Sequence, residues 1–152
     1  MKDPSTPEEL TAITELIDRW LDAQLAENPV VAAVEREVAE RRWYVRITGE
    51  EKDVYSVWIQ LGQRTLGYET YVMAAPEENQ AEFYEHLLRR NKGFYGLAFE
   101  IGEEDAVFLA GQLGNDAIDE DELDRVLGTV YAAIERCFRP ALRIGFASRM
   151  SA

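Results

Sequence analysis

The chain has 152 residues, 47% of them hydrophobic and 11% aromatic, which is one domain by length and enough to bury roughly 70% of the surface the unfolded chain would expose. Sixteen basic residues against 29 acidic ones leave a net charge of -13, which repels phosphate backbones and argues against nucleic acid as a partner. A single cysteine, Cys137, excludes an internal disulfide framework and suits a reducing cytoplasm, and no apolar run is long enough for a signal peptide or membrane span.

Thr6, Pro7 and Glu9 supply a capping residue, a proline at the first helical position and the glutamate of a capping box. Leu10, Ile13, Leu16, Ile17, Trp20, Leu21 and Leu25 then recur at spacings of three and four, predicting a helix from Pro7 to about Ala26. Asn28-Pro29 interrupts it. Val30, Val31, Val34 and Val38 continue at helical spacing, so residues 26–42 read either as a connecting segment or as a second helix capped by Asn28, against which β-branched valine argues.

From Arg42 the period becomes two. Trp43, Val45 and Ile47 share one face, with Tyr44, Arg46 and Thr48 on the other. A polar turn at residues 49–53 leads to a second strand, with Tyr55, Val57, Ile59 and Leu61 together, and residues 62–64 turn into a third beginning at Thr65. Short turns between consecutive strands require an antiparallel meander, because parallel pairing needs a long crossover.

Pro76 closes that meander and is expected to open the next helix, with Glu77 and Glu78 at its positive end and Phe83, Tyr84, Leu87 and Leu88 facing the core. Arg89, Arg90 and Lys92 lie at the carbonyl pole, and Gly93 suits a left-handed stop. Alternation predicts strands at residues 95–101 and 106–112. Asp119 caps a last helix, with Glu122 three residues on and Ile118 placed to staple onto Leu123; Pro140 is expected to end it, and Leu142, Ile144 and Phe146 to pack back on the domain. The sum is an α+β fold: an antiparallel sheet of about five strands with helices packed on one face, ordered helix, three strands, helix, two strands, helix.

No catalytic constellation emerges. His86 is the sole histidine and falls on the solvent side of its predicted helix, while Cys137 falls on an apolar stripe as a buried thiol. The acidic residues 116–124 lack the central glycine of an EF-hand loop and read as a capped helix start, and no glycine pattern forms a phosphate-binding loop. No metal or cofactor is therefore expected. The face of the sheet that helices leave uncovered is more informative. Trp43, Trp58, Tyr71, Arg89 and Arg90 are the candidates for a partner interface, because exposed aromatic patches mark protein contacts; core packing is the competing reading of the aromatics, and a helix terminus that of the two arginines.

Pro76-Glu77-Glu78-Asn79, Leu87 to Asn91, the strand pair closed by Gly111, Leu123-Asp124-Arg125 and Gly145-Phe146-Ala147 resemble the actinobacterial branch of the YbjN domain family, over roughly Trp43 to Ser148. The resemblance implies a fold like that of type III secretion chaperones, which are small, acidic, commonly homodimeric and hold extended partner segments. The family is described as a sensory transduction regulator without an established reaction, so no catalytic residue carries over. The expectation is a non-enzymatic, cytoplasmic, homodimeric binding protein with a protein or peptide partner; the alternative is a small-ligand or weakly enzymatic domain using a pocket between helices and sheet.

Overall fold

A computed structural model describes residues 3–150. Helix α1 (Pro7–Glu27) is followed by strands β1 (Val31–Glu37), β2 (Arg42–Thr48), β3 (Val54–Leu61) and β4 (Thr65–Met73), helix α2 (Gln80–Asn91), strands β5 (Ala98–Ile101) and β6 (Val107–Gly114), helix α3 (Glu120–Gly145) and a short helix α4 (Ala147–Met150). The strands form one sheet of six in the order β1-β2-β3-β4-β6-β5, every neighbouring pair antiparallel. The predicted architecture holds, with one strand more than expected.

That extra strand is β1, where the valine spacing suggested a helix. A register shift between Val31 and Ala33 explains the misleading period. A bulge adds a residue to one strand, so positions three apart return to the same face. Val31 therefore lies opposite Ile47 and Val34 opposite Val45, both toward the helices. On the same face Arg36 sits opposite Trp43, its Nε donating to Asp18 Oδ1 at 2.9 Å and its Nη2 to Asp22 Oδ1 at 2.6 Å, which ties β1 to α1.

The capping box of α1 forms as predicted: the Glu9 N–H donates to Thr6 Oγ1 at 3.1 Å and the Thr6 N–H to Glu9 Oε1 at 3.0 Å. Leu10, Ile17, Trp20 and Leu21 are buried, whereas Leu25 at the helix end is exposed. At α3, the Glu122 N–H donates to Asp119 Oδ1 at 2.8 Å, as expected of the cap. Burial of Leu123, Val126, Leu127, Val130, Ile134 and Cys137 against the inward residues of β2 to β4 gives one continuous core.

Four boundaries differ from expectation, the first being β5, which starts at Ala98 and not at residue 95 because Tyr95 and Gly96 form a turn. Helix α2 begins at Gln80, and Glu77 and Glu78 instead hold the C-terminal turn: Arg149 makes a two-pronged ion pair with Glu77 at 2.6 and 2.9 Å, and the Ser148 N–H donates to Glu78 Oε1 at 2.8 Å. Helix α3 runs through Pro140 to Gly145. Proline costs one intrahelical bond there, but burial of Ala141 and Gly145 and half-burial of Leu142, Ile144 and Phe146 keep the chain helical. Finally, Gly93 is not left-handed; Gly96 is, with φ +75°. The Gly96 carbonyl accepts a hydrogen bond from the Tyr68 hydroxyl at 3.0 Å and packs so closely on Gly111 that a side chain at 111 would collide with it.

Candidate functional site: the open face of the sheet

Alternation along each strand sends one set of side chains under the helices and the other to the uncovered face. Register aligns Glu35, Tyr44, Trp58, Glu69, Ala110 and Ala98 as one row across the sheet on that uncovered side. Trp58 is 49% exposed and Tyr71 48%. Each is held by an edge-to-face partner on the neighbouring strand: Tyr44 with Trp58 at 5.4 Å between ring centroids, Phe108 with Tyr71 at 5.7 Å. Such pairs contribute about 0.5–1.5 kcal/mol beyond area burial, so the aromatic surface is rigid rather than loose.

Two shallow clefts flank Trp58 and Glu69. One, of about 180 Å³, runs toward Ser56, Tyr71 and Phe108; the other, of about 370 Å³, toward Arg42, Gln60 and Gly67. Glu69 is half-buried between them and forms no ion pair among the described residues. Aromatic faces and one carboxylate line this surface. They offer no nucleophile paired with a base.

Of the five sequence candidates, Trp58 and Tyr71 lie together on this face. Trp43 does not: it is 2% exposed, points under the helices, and donates its indole N–H to Asp18 Oδ1 at 2.8 Å. Its place in the core is a correction, and its cause is the phase of β2, which puts Trp43 with Val45 and Ile47 against α1. Arg89 and Arg90 are exposed in the last turn of α2, and Arg89 pairs with Glu85 at 3.4 Å.

His86 also departs from expectation. The buried face of α2 is centred on Phe83 and Leu87, leaving Leu88 69% exposed and turning His86 partly inward. Its Nε2 is buried with no hydrogen-bond partner among the described residues. Burial lowers its pKa, nearby Arg90 lowers it further, and Glu82 opposes both. Cys137 is buried as predicted, and burial raises its pKa. Among the described residues no cluster of three histidine, cysteine, aspartate or glutamate side chains could hold a metal ion.

Sequence reasoning did not single out Lys52. It lies in the β2–β3 turn and donates from Nζ to the carbonyls of Tyr71 at 2.9 Å and Val72 at 2.8 Å. Pairing of β3 with β4 stops at Val57 and Thr70 although both strands continue, and a register shift between Tyr71 and Met73 interrupts the ladder to β6. In a regular strand successive carbonyls point opposite ways; here both accept from one ammonium. The rings of Tyr71, Phe138 and Tyr55 lie 5.2, 5.4 and 5.9 Å from Nζ. Lys52 has no carboxylate partner among the described residues, and burial lowers its pKa to about 8. A lysine in an acidic turn carries no sequence signal of such an environment.

A family profile described as "Putative bacterial sensory transduction regulator", YbjN, matches residues 14–143. The chain belongs to the YbjN family. An uncharacterized protein of Mycobacterium tuberculosis is 36% identical over 104 residues, 68% of this chain and 57% of that protein, and an uncharacterized protein of Mycobacterium leprae is 31% identical over 107 residues, 70% of this chain and 58% of that protein. This YbjN chain thus spans under three fifths of the length of these curated relatives. Two solved structures share its fold: the heterodimeric ExoU-SpcU complex of the Pseudomonas aeruginosa type III secretion system, with TM-score 0.55 and 14% identity over 82% of this chain and 96% of that one; and the Yersinia pestis type III secretion chaperone SycH in complex with a fragment of YscM2, with TM-score 0.50 and 12% identity over 87% and 98%. At those identities the likeness is one of fold.

Proposed function

We propose that this YbjN chain is a non-enzymatic, chaperone-like regulator that binds a protein partner in extended form across the open face of its sheet. The observation that carries the reading is the pair of half-exposed aromatics, Trp58 and Tyr71, braced by Tyr44 and Phe108 on a face that no helix covers. The family description and the fold shared with the type III secretion chaperone SycH, solved with a protein fragment, and with the heterodimeric ExoU-SpcU complex support a regulator of this kind. A net charge of -13 favours a basic partner segment, for which Glu69 between two clefts is a counter-charge. We assign it to the cytoplasm as a homodimer; no described helix is long and apolar enough to cross a membrane.

A photoreactive aromatic amino acid placed at position 58 or 71 tests the site, with exposed Leu25 on α1 as the control position. Crosslinks to the same partner polypeptide from 58 and 71, and none from 25, are expected, with light scattering reporting the dimer. Partner crosslinks arising only from position 25, together with unchanged partner capture by Trp58→Ala and Tyr71→Ala, would overturn the assignment.

A further inference from the structure

We propose that Lys52 is a site of chemical acylation, its amine taking an acyl group from a small activated donor such as an acyl phosphate or acyl thioester. The inference is independent of what binds the sheet face.

The geometry around Nζ is suited to a neutral amine. The two carbonyls of Tyr71 and Val72 occupy two N–H bonds, which a neutral amine retains. Loss of the third proton therefore sacrifices no hydrogen bond to the protein, and the lone pair takes the remaining tetrahedral position. No carboxylate partners Nζ among the described residues, and burial lowers its pKa to about 8. Lys52 also borders the cleft of about 180 Å³ beside Ser56, Tyr71 and Phe108, large enough to admit an acetyl group.

In the reaction the Nζ lone pair attacks the donor's carbonyl carbon. A C–N bond forms, the C–O bond to phosphate or the C–S bond to thiolate breaks, and the leaving group departs with the electron pair. Nitrogen releases one proton to water. The product amide is uncharged and keeps a single N–H, so one of the two carbonyls loses its donor and the rings of Tyr71, Phe138 and Tyr55 lose the ammonium beside them.

At pH 7.5 an amine of pKa about 8 holds about 200 times more of its neutral form than one of 10.5, offset by roughly tenfold lower nucleophilicity, which leaves about a 20-fold advantage. The chain has three lysines, so the comparison is simple. The intact protein is incubated with acetyl phosphate in one arm and acetyl-CoA in another, from pH 6.5 to 10, and site occupancy is read by peptide mass spectrometry. Exposed Lys92 is the internal reference, and Lys52→Arg controls for peptide assignment. We expect Lys52 to react about 20-fold faster at pH 7.5 in the folded protein than in urea, and faster than Lys92 in the folded protein, its rate levelling above about pH 8.5. Reaction in one arm alone identifies the donor class. Equal or slower reaction of Lys52 than of Lys92 in both arms, or a Lys52 rate that keeps climbing above pH 9, would overturn the proposal.

Discussion

The same substitution, tryptophan to phenylalanine, should cost far more at position 43 than at position 58. In Trp43→Phe the half-buried Asp18 contact is lost: a hydrogen bond to a charged group contributes about 1.5–3 kcal/mol, at the low end here because Asp18 is partly exposed and keeps Arg36 at 2.9 Å. Removing the second ring from a site that is 2% exposed adds about 1 kcal/mol for the cavity. The expected loss is about 2–3 kcal/mol, or roughly 5–10 °C in Tm for a domain of this size. In Trp58→Phe the replaced indole N–H has no partner among the described residues and the side chain is 49% exposed, so the cost should stay below about 0.5 kcal/mol. Urea denaturation followed by far-UV circular dichroism measures both. Acrylamide quenching supplies a second readout, because Trp20 and Trp43 are buried and Trp58 alone is open: Trp58→Phe should remove most of the quenchable fluorescence. Equal stability losses, or quenching that survives Trp58→Phe, would refute the assignment of the two faces.

Stability should rise with pH above about 8, where the unfolded chain still holds the Lys52 proton that the folded one has released, and turn down beyond about 10, where unfolded tyrosines ionise while burial keeps Tyr55 protonated. Lys52→Met should abolish the rise in urea midpoints measured from pH 8 to 10. His86 acts at the acid end: its folded pKa lies below 6.5, so its contribution is lost as pH falls from 6.5 toward that value, and His86→Gln should flatten this part of the profile relative to wild type. Gly145→Ala would bring a methyl group to 2.6 Å from Phe83 Cδ1 and 2.9 Å from Pro76 Cβ; since Phe83 is fully buried, calorimetry should show a loss of about 1–3 kcal/mol. Thr6→Ala removes one arm of the capping box and should cost about 1 kcal/mol by the same method.

Where local chemistry and burial agree, the structure was legible in advance. Thr6 and Asp119 cap the helices they were expected to cap, and the alternation of β2 and β3 sorts their side chains as predicted. Misreadings occur where a tertiary partner outweighs a local signal. The bulge in β1 gives a strand the spacing of a helix, and the free edge of β2 makes the strand form. Pro140 stays inside α3 because Cys137 and Ala141 on either side of it are buried in the core. On α2 the inward face is set by what it packs against, which exposes Leu88 and draws in His86. Trp43 and Trp58 are equally large and apolar; alternation already puts Trp43 with Val45 and Ile47 and Trp58 opposite Val57 and Ile59, and the helices decide that the first set is the covered one.

By itself, then, the amino-acid order determined most element types, β1 excepted, the antiparallel meander and the family, because periodicity, caps and turn residues act over a few positions. Tertiary structure alone decided which face of the sheet is open, how Trp58 and Tyr71 come to share it, and why Lys52 finds two carbonyls and three rings. Those outcomes depend on register and on groups up to 86 positions apart in the chain, as Lys52 and Phe138 are, and no local pattern encodes them.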